Sequence, residues 1–177
     1  MEIRLCEEYE IEAVGEFYDK VVYHLCNTIN YPQWEYKKYP SVDSAREKIR
    51  KKQQFVCMDQ GKIAGVFVFN EDPEGKYENA NWSVELKEGE YMVCHALATD
   101  LSVRGKGIGK KMVEFCIEYA KSRGYKAIRL DAVPGNTPAK QLYEKCGFQY
   151  RGDVDLERGI EYIPVFSMYE LVFETIQ

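Results

Sequence analysis

The chain has 177 residues, enough for one hydrophobic core, and 45% of them are hydrophobic, so a single packed domain over residues 1–177 is expected. A net charge of −5 argues against a general nucleic-acid binder, which carries a basic face. No apolar run is long enough to span a bilayer, and residues 1–8 do not have the pattern of a signal peptide, so a cytoplasmic protein with no membrane partner is expected.

The six cysteines, at positions 6, 26, 57, 94, 116 and 146, form no C-x-x-C pair, and only two histidines are present. A Cys/His zinc site is therefore not expected, and buried reduced thiols are the plainer reading.

In chain order, residues 2–6 read as a short strand. Residues 9–26 carry Ile11, Val14, Phe17, Tyr18, Val21, Val22 and Leu25 on one stripe, which predicts a helix. Residues 27–40 hold two prolines, Trp34 and three tyrosines and read as an irregular segment. A second helix is predicted over 41–52, with Ser44 and Glu47 in capping-box spacing. Strands over 54–58 and 63–69 flank a Gly61 turn and predict a hairpin. Residues 70–88 are polar and read as a long surface loop, and 90–99 as a strand. A helix over 107–123 stops at Gly124, a strand follows over 125–133, and a short helix runs from Asn136 or Thr137 to Lys145. Residues 148–151 and 162–173 read as two final strands. The order β-α-α-β-β-β-α-β-α-β-β describes an α/β (α+β) fold with a mixed sheet and helices on both faces.

The stretch that organises the chain is residues 95–109, HALATDLSVRGKGIG. It passes from a strand through Arg104-Gly105-Lys106-Gly107-Ile108-Gly109 into a helix. Glycines at every second position let the backbone come close to a ligand. Free N–H groups at a helix N-terminus favour an anion, and Arg104, Lys106, Lys110 and Lys111 add positive charge. Two known phosphate loops do not fit. A P-loop needs glycine at 104 and a hydroxyl at 111, where the chain has Arg104 and Lys111. The dinucleotide fingerprint needs glycine at 110, where the chain has Lys110. The spacing that does fit is R-x-x-G-x-G, as Arg104, Gly107 and Gly109.

A second constellation follows one strand later. Residues 136–148 match N-x-x-A-x-x-L-Y-x-x-x-G-F, with Asn136, Ala139 and Tyr143 spaced to share one helix face. Together the two motifs resemble the acyl-CoA-binding half of the GNAT superfamily of N-acetyltransferases, over residues 91–152. The rest of the chain agrees in element order.

That resemblance implies a GNAT acyl-CoA N-acyltransferase fold, with a central mixed, mostly antiparallel sheet. It implies acetyl-CoA as co-substrate, no metal, and a cleft where the strands at 90–99 and 126–133 splay apart. Leu97, Ala98 and Thr99 would pair with the pantetheine arm, and backbone N–H groups from Arg104 through Gly105, Lys106, Gly107, Ile108 and Gly109 would hold the pyrophosphate, with Lys110 beside them. Asn136 would bond the pantetheine, small Ala139 would let the helix approach it, and Tyr143 would stand near the sulfur. Thr99 and Leu101 depart from the family pattern at the strand end, which touches cofactor geometry there rather than the chemistry.

The family reaction, direct transfer of acetyl from the thioester to an amine, sets three tasks. The amine must lose a proton, the carbonyl must be polarised, and the leaving thiolate must be stabilised or protonated. Tyr143 is the expected acid, against the alternative of a core tyrosine. A backbone N–H near Leu97 or Ala98 is expected to serve the carbonyl oxygen. Two residues compete as base. Histidine titrates near neutrality, and His95 stands two before Leu97, on the same face unless a bulge intervenes. H-A-L-A-T also resembles the H-x-L-A-V of arylalkylamine N-acetyltransferases. Glu90, on the same strand, is the rival.

For the acceptor, the aromatic segment supplies Tyr31, Trp34 and Glu35, with Tyr36 and Tyr39 beside them as a cation-binding or apolar wall, or as core filling. The loop 70–88 with Trp82 is expected to close over the same pocket. A small-molecule amine is the expected acceptor, with a protein or peptide amine left open. So are the oligomeric state (a homodimer is common among proteins of this kind) and a non-catalytic acyl-CoA sensor of the same fold.

Overall fold

The first helical stripe folds as its spacing dictates. In the computed structural model, which describes residues 1–173, helix α1 (Ile11–Cys26) buries Val14, Phe17, Tyr18, Val21, Val22 and Leu25. The predicted start at residue 9 gives way to a 3-10 turn over Glu8–Glu10. There the Glu10 carboxylate takes both Arg4 guanidinium nitrogens at 2.8 and 2.9 Å and the Glu7 N–H at 2.8 Å.

Helix α2 (Val42–Arg50) is capped by Ser41, whose hydroxyl accepts from the Ser44 N–H while the Ser44 hydroxyl accepts from the Ser41 N–H. The predicted Ser44–Glu47 box is therefore displaced by three residues, and Glu47 instead pairs with Lys51 one turn on. Helices α3 (Ile108–Ser122) and α4 (Thr137–Lys145) complete the α-helices of the described chain.

The strands are β1 (Glu2–Leu5), β2 (Gln54–Asp59), β3 (Lys62–Asn70), β4 (Tyr91–Thr99), β5 (Ala127–Ala132), β6 (Gln149–Val154) and β7 (Phe166–Val172). They form one mixed sheet in the order β1-β2-β3-β4-β5-β7-β6, the α/β architecture expected from the element order. β1–β2, β2–β3, β5–β7 and β6–β7 are antiparallel, and β4–β5 is parallel. The last strand begins at Phe166 rather than at the predicted 162, because residues 155–165 leave the sheet.

The chain forms two compact units, each assembled from two segments. One comprises residues 1–69 and 95–115, the other 70–94 and 116–177. The core of the first unit gathers Phe17, Tyr18, Val21, Leu25, Ile49, Val56, Val66 and Ala98. Gly65 lets α3 settle on β3, for a Cβ there would stand 2.7 Å from the Met112 sulfur and 3.1 Å from the Ala98 carbonyl. Phe55 stacks on Phe67, and Phe115 of α3 leans on both.

The core of the second unit gathers Tyr77, Val93, Val133, Leu156, Phe166 and Met168. A buried polar network runs through it. The Glu170 carboxylate meets Arg129 at 3.1 Å, Arg151 at 3.1 Å, and the Ser83 N–H and hydroxyl at 2.9 and 2.6 Å. Of the six cysteines, Cys6, Cys57, Cys94 and Cys116 are buried. No helix among the described residues is long and apolar enough to cross a membrane.

Candidate active site

Strand β4 carries the expected base and the expected pantetheine-pairing residues. Its first part, Tyr91–Val93, pairs with Ala127–Arg129, while β5 continues against β7 as far as Ala132. Farther along, Ala96 adopts φ +48°, a left-handed conformation unusual for a residue with a Cβ. Alternation assumes extended backbone, so the parity argument that put His95 and Leu97 on one face does not carry through Ala96. His95, Ala96 and Leu97 are half-buried, between buried Cys94 and Ala98.

After β4 the chain turns on Asp100. Its carboxylate takes the Ser102 N–H at 2.9 Å and the Ser102 hydroxyl at 2.5 Å, and Lys20 of α1 at 2.6 Å. The Lys20 ammonium, with help from Ser102, holds the Asp100 carboxyl down at about 2.

The glycine loop follows. Gly105 and Gly107 sit at φ +78° and +77°, and the space where a Cβ would stand is open at both. The first helical bond runs from the Lys111 N–H to the Gly107 carbonyl at 3.1 Å. The N–H groups of Ile108, Gly109 and Lys110 thus precede the α3 ladder, as the first turn of any helix leaves them. Buried Ile108 anchors the turn, while Arg104 and Lys106 are exposed and Lys110 pairs with Glu114 at 3.3 Å. An open turn of glycines, three forward-pointing donors and a set of cations fit a pyrophosphate.

Tyr143 and Asn136 lie in the second unit. Tyr143 is buried, its ring against Phe148 and Tyr169. Burial, and then the neighbouring Cys94, Asp131, Cys116 and Cys146, push its phenol well above the usual tyrosine range, so it stays protonated at neutral pH. Asn136 caps α4 by accepting from the Ala139 N–H at 3.4 Å. The side-chain NH2 of an asparagine capping through its oxygen still has two protons to donate.

Glu90 lies just before β4. Its carboxylate is paired with Lys126 and takes the Lys87 N–H at 2.7 Å, and Lys126 is the chief cause of its lowered pKa. A carboxylate so engaged is a weak proton acceptor.

In the aromatic segment, Trp34 turns inward. Its ring meets Tyr18 edge-on with centroids 6.5 Å apart, and Asn30 grips its backbone at both N and O. Tyr31 and Glu35 are half-buried, and Glu35 pairs with Lys38 at 3.2 Å. Tyr36 is exposed and stacks edge-on with Tyr23.

The loop 70–88 makes its own contacts within the second unit. Trp82 donates to the Tyr77 carbonyl at 2.7 Å and covers the Arg129 guanidinium, which is sandwiched between Trp82 and Tyr91. The ring and the N–H of Trp82 are thus both engaged within the second unit. Two features escaped the sequence reading: the left-handed backbone at Ala96, which no residue type signals, and Tyr18, whose place in a helical stripe marked it only as core. Among the described residues, no group of three or more His, Cys, Asp or Glu side chains is placed to hold a metal ion.

A glycine turn at the start of a helix, following a strand of a mixed seven-stranded sheet, is the arrangement that the GNAT resemblance implied. Comparison with known proteins agrees. The family model "Acetyltransferase (GNAT) family" matches residues 20–148, and the chain belongs to that family. Streptothricin acetyltransferase of Escherichia coli is 36% identical over 93 residues, 52% of this chain and 49% of that protein. Spermine/spermidine N(1)-acetyltransferase of Bacillus subtilis is 31% identical over 97 residues, 54% of this chain and 59% of that protein. The chain thus spans about half the length of the curated relatives it matches. Among solved structures, a GNAT-family acetyltransferase of Streptococcus agalactiae shares the fold, with a TM-score of 0.79 at 20% identity, over 98% of this chain and 96% of that one. yncA of Salmonella typhimurium, solved with its cofactor acetyl-CoA, has a TM-score of 0.70 at 16% identity, over 100% of this chain and 96% of that one.

Proposed function

We propose that this protein is an acetyl-CoA-dependent N-acetyltransferase that moves acetyl directly from the thioester to a primary amine of a small molecule. The observation that carries the reading is the turn at Gly105 and Gly107, which delivers the first N–H groups of α3 to an open, cationic surface in a chain of the GNAT family. We read the two units as one catalytic domain, because the family match draws on residues of both.

In this reading the backbone from Arg104 to Gly109 holds the pyrophosphate, with Lys106 and Lys110 adding charge. Leu97, Ala98 and Thr99 offer strand edge to the pantetheine, Asn136 donates its amide protons to it, and Ala139 leaves it room. The amine nitrogen attacks the carbonyl carbon, a C–N bond forms, the C–S bond breaks, and the amine proton leaves to a base. His95 takes that role in preference to Glu90, whose carboxylate is committed to Lys126 and the Lys87 N–H. Tyr143, kept protonated by burial, donates a hydrogen bond to the departing thiolate. The same raised pKa makes complete proton transfer from the phenol uphill, so the hydrogen bond is its main contribution.

On the acceptor side, Tyr31 and Glu35 face the incoming amine and Trp34 forms the wall behind them. Calorimetric titration with acetyl-CoA, followed by a panel of amines headed by spermine, spermidine and streptothricin with thiol release as readout, tests the proposal. Binding with thiol release is expected. Binding without release from small amines or from peptides would turn the reading towards an acyl-CoA sensor, and no binding would overturn it.

A further inference from the structure

We infer that Tyr18 is a positioning residue for acyl transfer: its hydroxyl holds the Ala96 carbonyl and thereby aims the Leu97 N–H at the thioester oxygen. The inference rests on the acetyltransferase reading above and adds to it a residue of α1 that is far in sequence from either motif.

The geometry is that of a single peptide plane. The Tyr18 hydroxyl lies 2.9 Å from the Ala96 carbonyl oxygen. The peptide between Ala96 and Leu97 is planar and trans, so its N–H points opposite to its C=O. A carbonyl held towards Tyr18 therefore sends the Leu97 N–H away from it. Ala96 is the left-handed residue of β4, at φ +48°. An alanine keeps that conformation only where the surroundings impose it. Tyr18 supplies one such restraint directly, at the carbonyl of the strained residue.

The direction of the hydrogen bond is fixed by its neighbours. Gln54 donates its Nε2 to the Tyr18 oxygen at 3.2 Å and to the Phe67 carbonyl at 3.0 Å. A phenol has one proton, and a carbonyl only accepts, so that proton goes to Ala96. The chain Gln54 to Tyr18 to Ala96 polarises the same peptide whose N–H is Leu97, which strengthens that N–H as a donor.

The hydroxyl is not there for solubility. Tyr18 is 1% exposed, in a stripe otherwise filled by Val14, Phe17, Val21, Val22 and Leu25. Packing alone is served by phenylalanine, and a buried hydroxyl is unfavourable unless it is used. The peptide it holds lies within the half-buried stretch of β4, His95 to Leu97, between buried Cys94 and Ala98.

Tyr18→Phe keeps the ring and deletes the hydroxyl. We expect turnover to fall roughly tenfold, a fraction of the loss that follows outright removal of an oxyanion donor. Acetyl-CoA affinity is expected to stay as in the wild type. The decisive readout is the infrared carbonyl stretch of bound acetyl-CoA labelled with 13C at the thioester carbonyl. It should lie below the free value in the wild type and return towards it in Tyr18→Phe. A purely structural tyrosine would leave it unmoved.

If the variant does not fold, 3-fluorotyrosine at position 18 keeps the shape and makes a stronger donor, and the bound stretch should move further from the free value. An unchanged stretch in the variant that folds, or no shift in the wild-type complex, overturns the inference while leaving the acetyltransferase reading standing. Failure of the wild type to bind acetyl-CoA overturns both.

Discussion

Replacing Gly107 with alanine separates the cost of a backbone conformation from the loss of a binding site. Gly107 sits at φ +77°, and an added Cβ meets nothing within 4 Å. Folding therefore bears only the left-handed penalty, about 1–2 kcal/mol, with no clash. For a chain of this size that lowers Tm by about 2–8 °C. Gly61, in the β2–β3 turn, is a matched control, since it sits at φ +74° with the same open surroundings. Gly61→Ala should cost the same stability and leave acetyl-CoA affinity alone. Gly107→Ala, in contrast, puts a methyl group where the pyrophosphate approaches. Losing one charge-assisted hydrogen bond weakens binding by about 1.5–3 kcal/mol, roughly 10- to 100-fold in Kd. Thermal melts and calorimetric titration with acetyl-CoA, run on the wild type and both variants, give the two numbers for each. Equal affinities in all three proteins would refute the placement of the anion at this loop. Equal weakening in both variants would trace the effect to stability instead.

Tyr143→Phe should lower turnover roughly 10- to 100-fold, at or below the bottom of the range for full acid catalysis because a hydrogen bond is its main contribution, with acetyl-CoA affinity unchanged; full turnover would remove the phenol from the mechanism. In His95→Gln the acidic limb of the pH–rate profile should vanish, and a persistent limb would clear the histidine of the role. Asp100 should make the protein acid-sensitive. Its carboxyl is lowered from 3.8 to about 2, so its contribution is whole above pH 3.8 and is lost as the pH falls from there towards 2, where the unfolded chain takes the proton first. The shift alone corresponds to about 2.4 kcal/mol, but the Lys20 ammonium is 57% exposed and screened, so we expect about 1 kcal/mol. Urea titrations of Asp100→Asn across that window should show a correspondingly flatter pH dependence, and a slope equal to the wild type's would assign the acid loss to other groups. Glu170→Gln leaves Arg129 buried without its charge partner and should destabilise the fold by about 3–5 kcal/mol; a melt close to the wild type's would mean that water or another acceptor takes over.

The elements were legible because their signals are local. The stripe from Val14 to Leu25 needs only a period near 3.6, and the Gly61 hairpin only a turn between two apolar runs. The glycine loop was legible for the same reason, since glycine spacing, following charge and helix start lie within a few residues. The errors arose where two local signals competed or where partners were distant. Ser44–Glu47 had the right spacing for a box, but Ser41 followed by Ser44 lies nearer the proline that ends the preceding segment, and that pair made the cap. Nothing near Trp82 in the sequence signals what its ring packs against. Its partners, Arg129 and Tyr91, arrive from other parts of the chain and hold it down.

The sequence by itself determined the order of elements, the family and the positions of the two motifs, since these depend on residue type and spacing over short distances. Tertiary structure alone decided which carboxylate was spent on an ion pair, since Lys126 reaches Glu90 across 36 residues. It alone decided that Trp34 packs inward on Tyr18, and that Tyr18 reaches Ala96 across 78 residues. Each of these contacts joins residues far apart in the chain, and no residue type or local spacing encodes such a meeting.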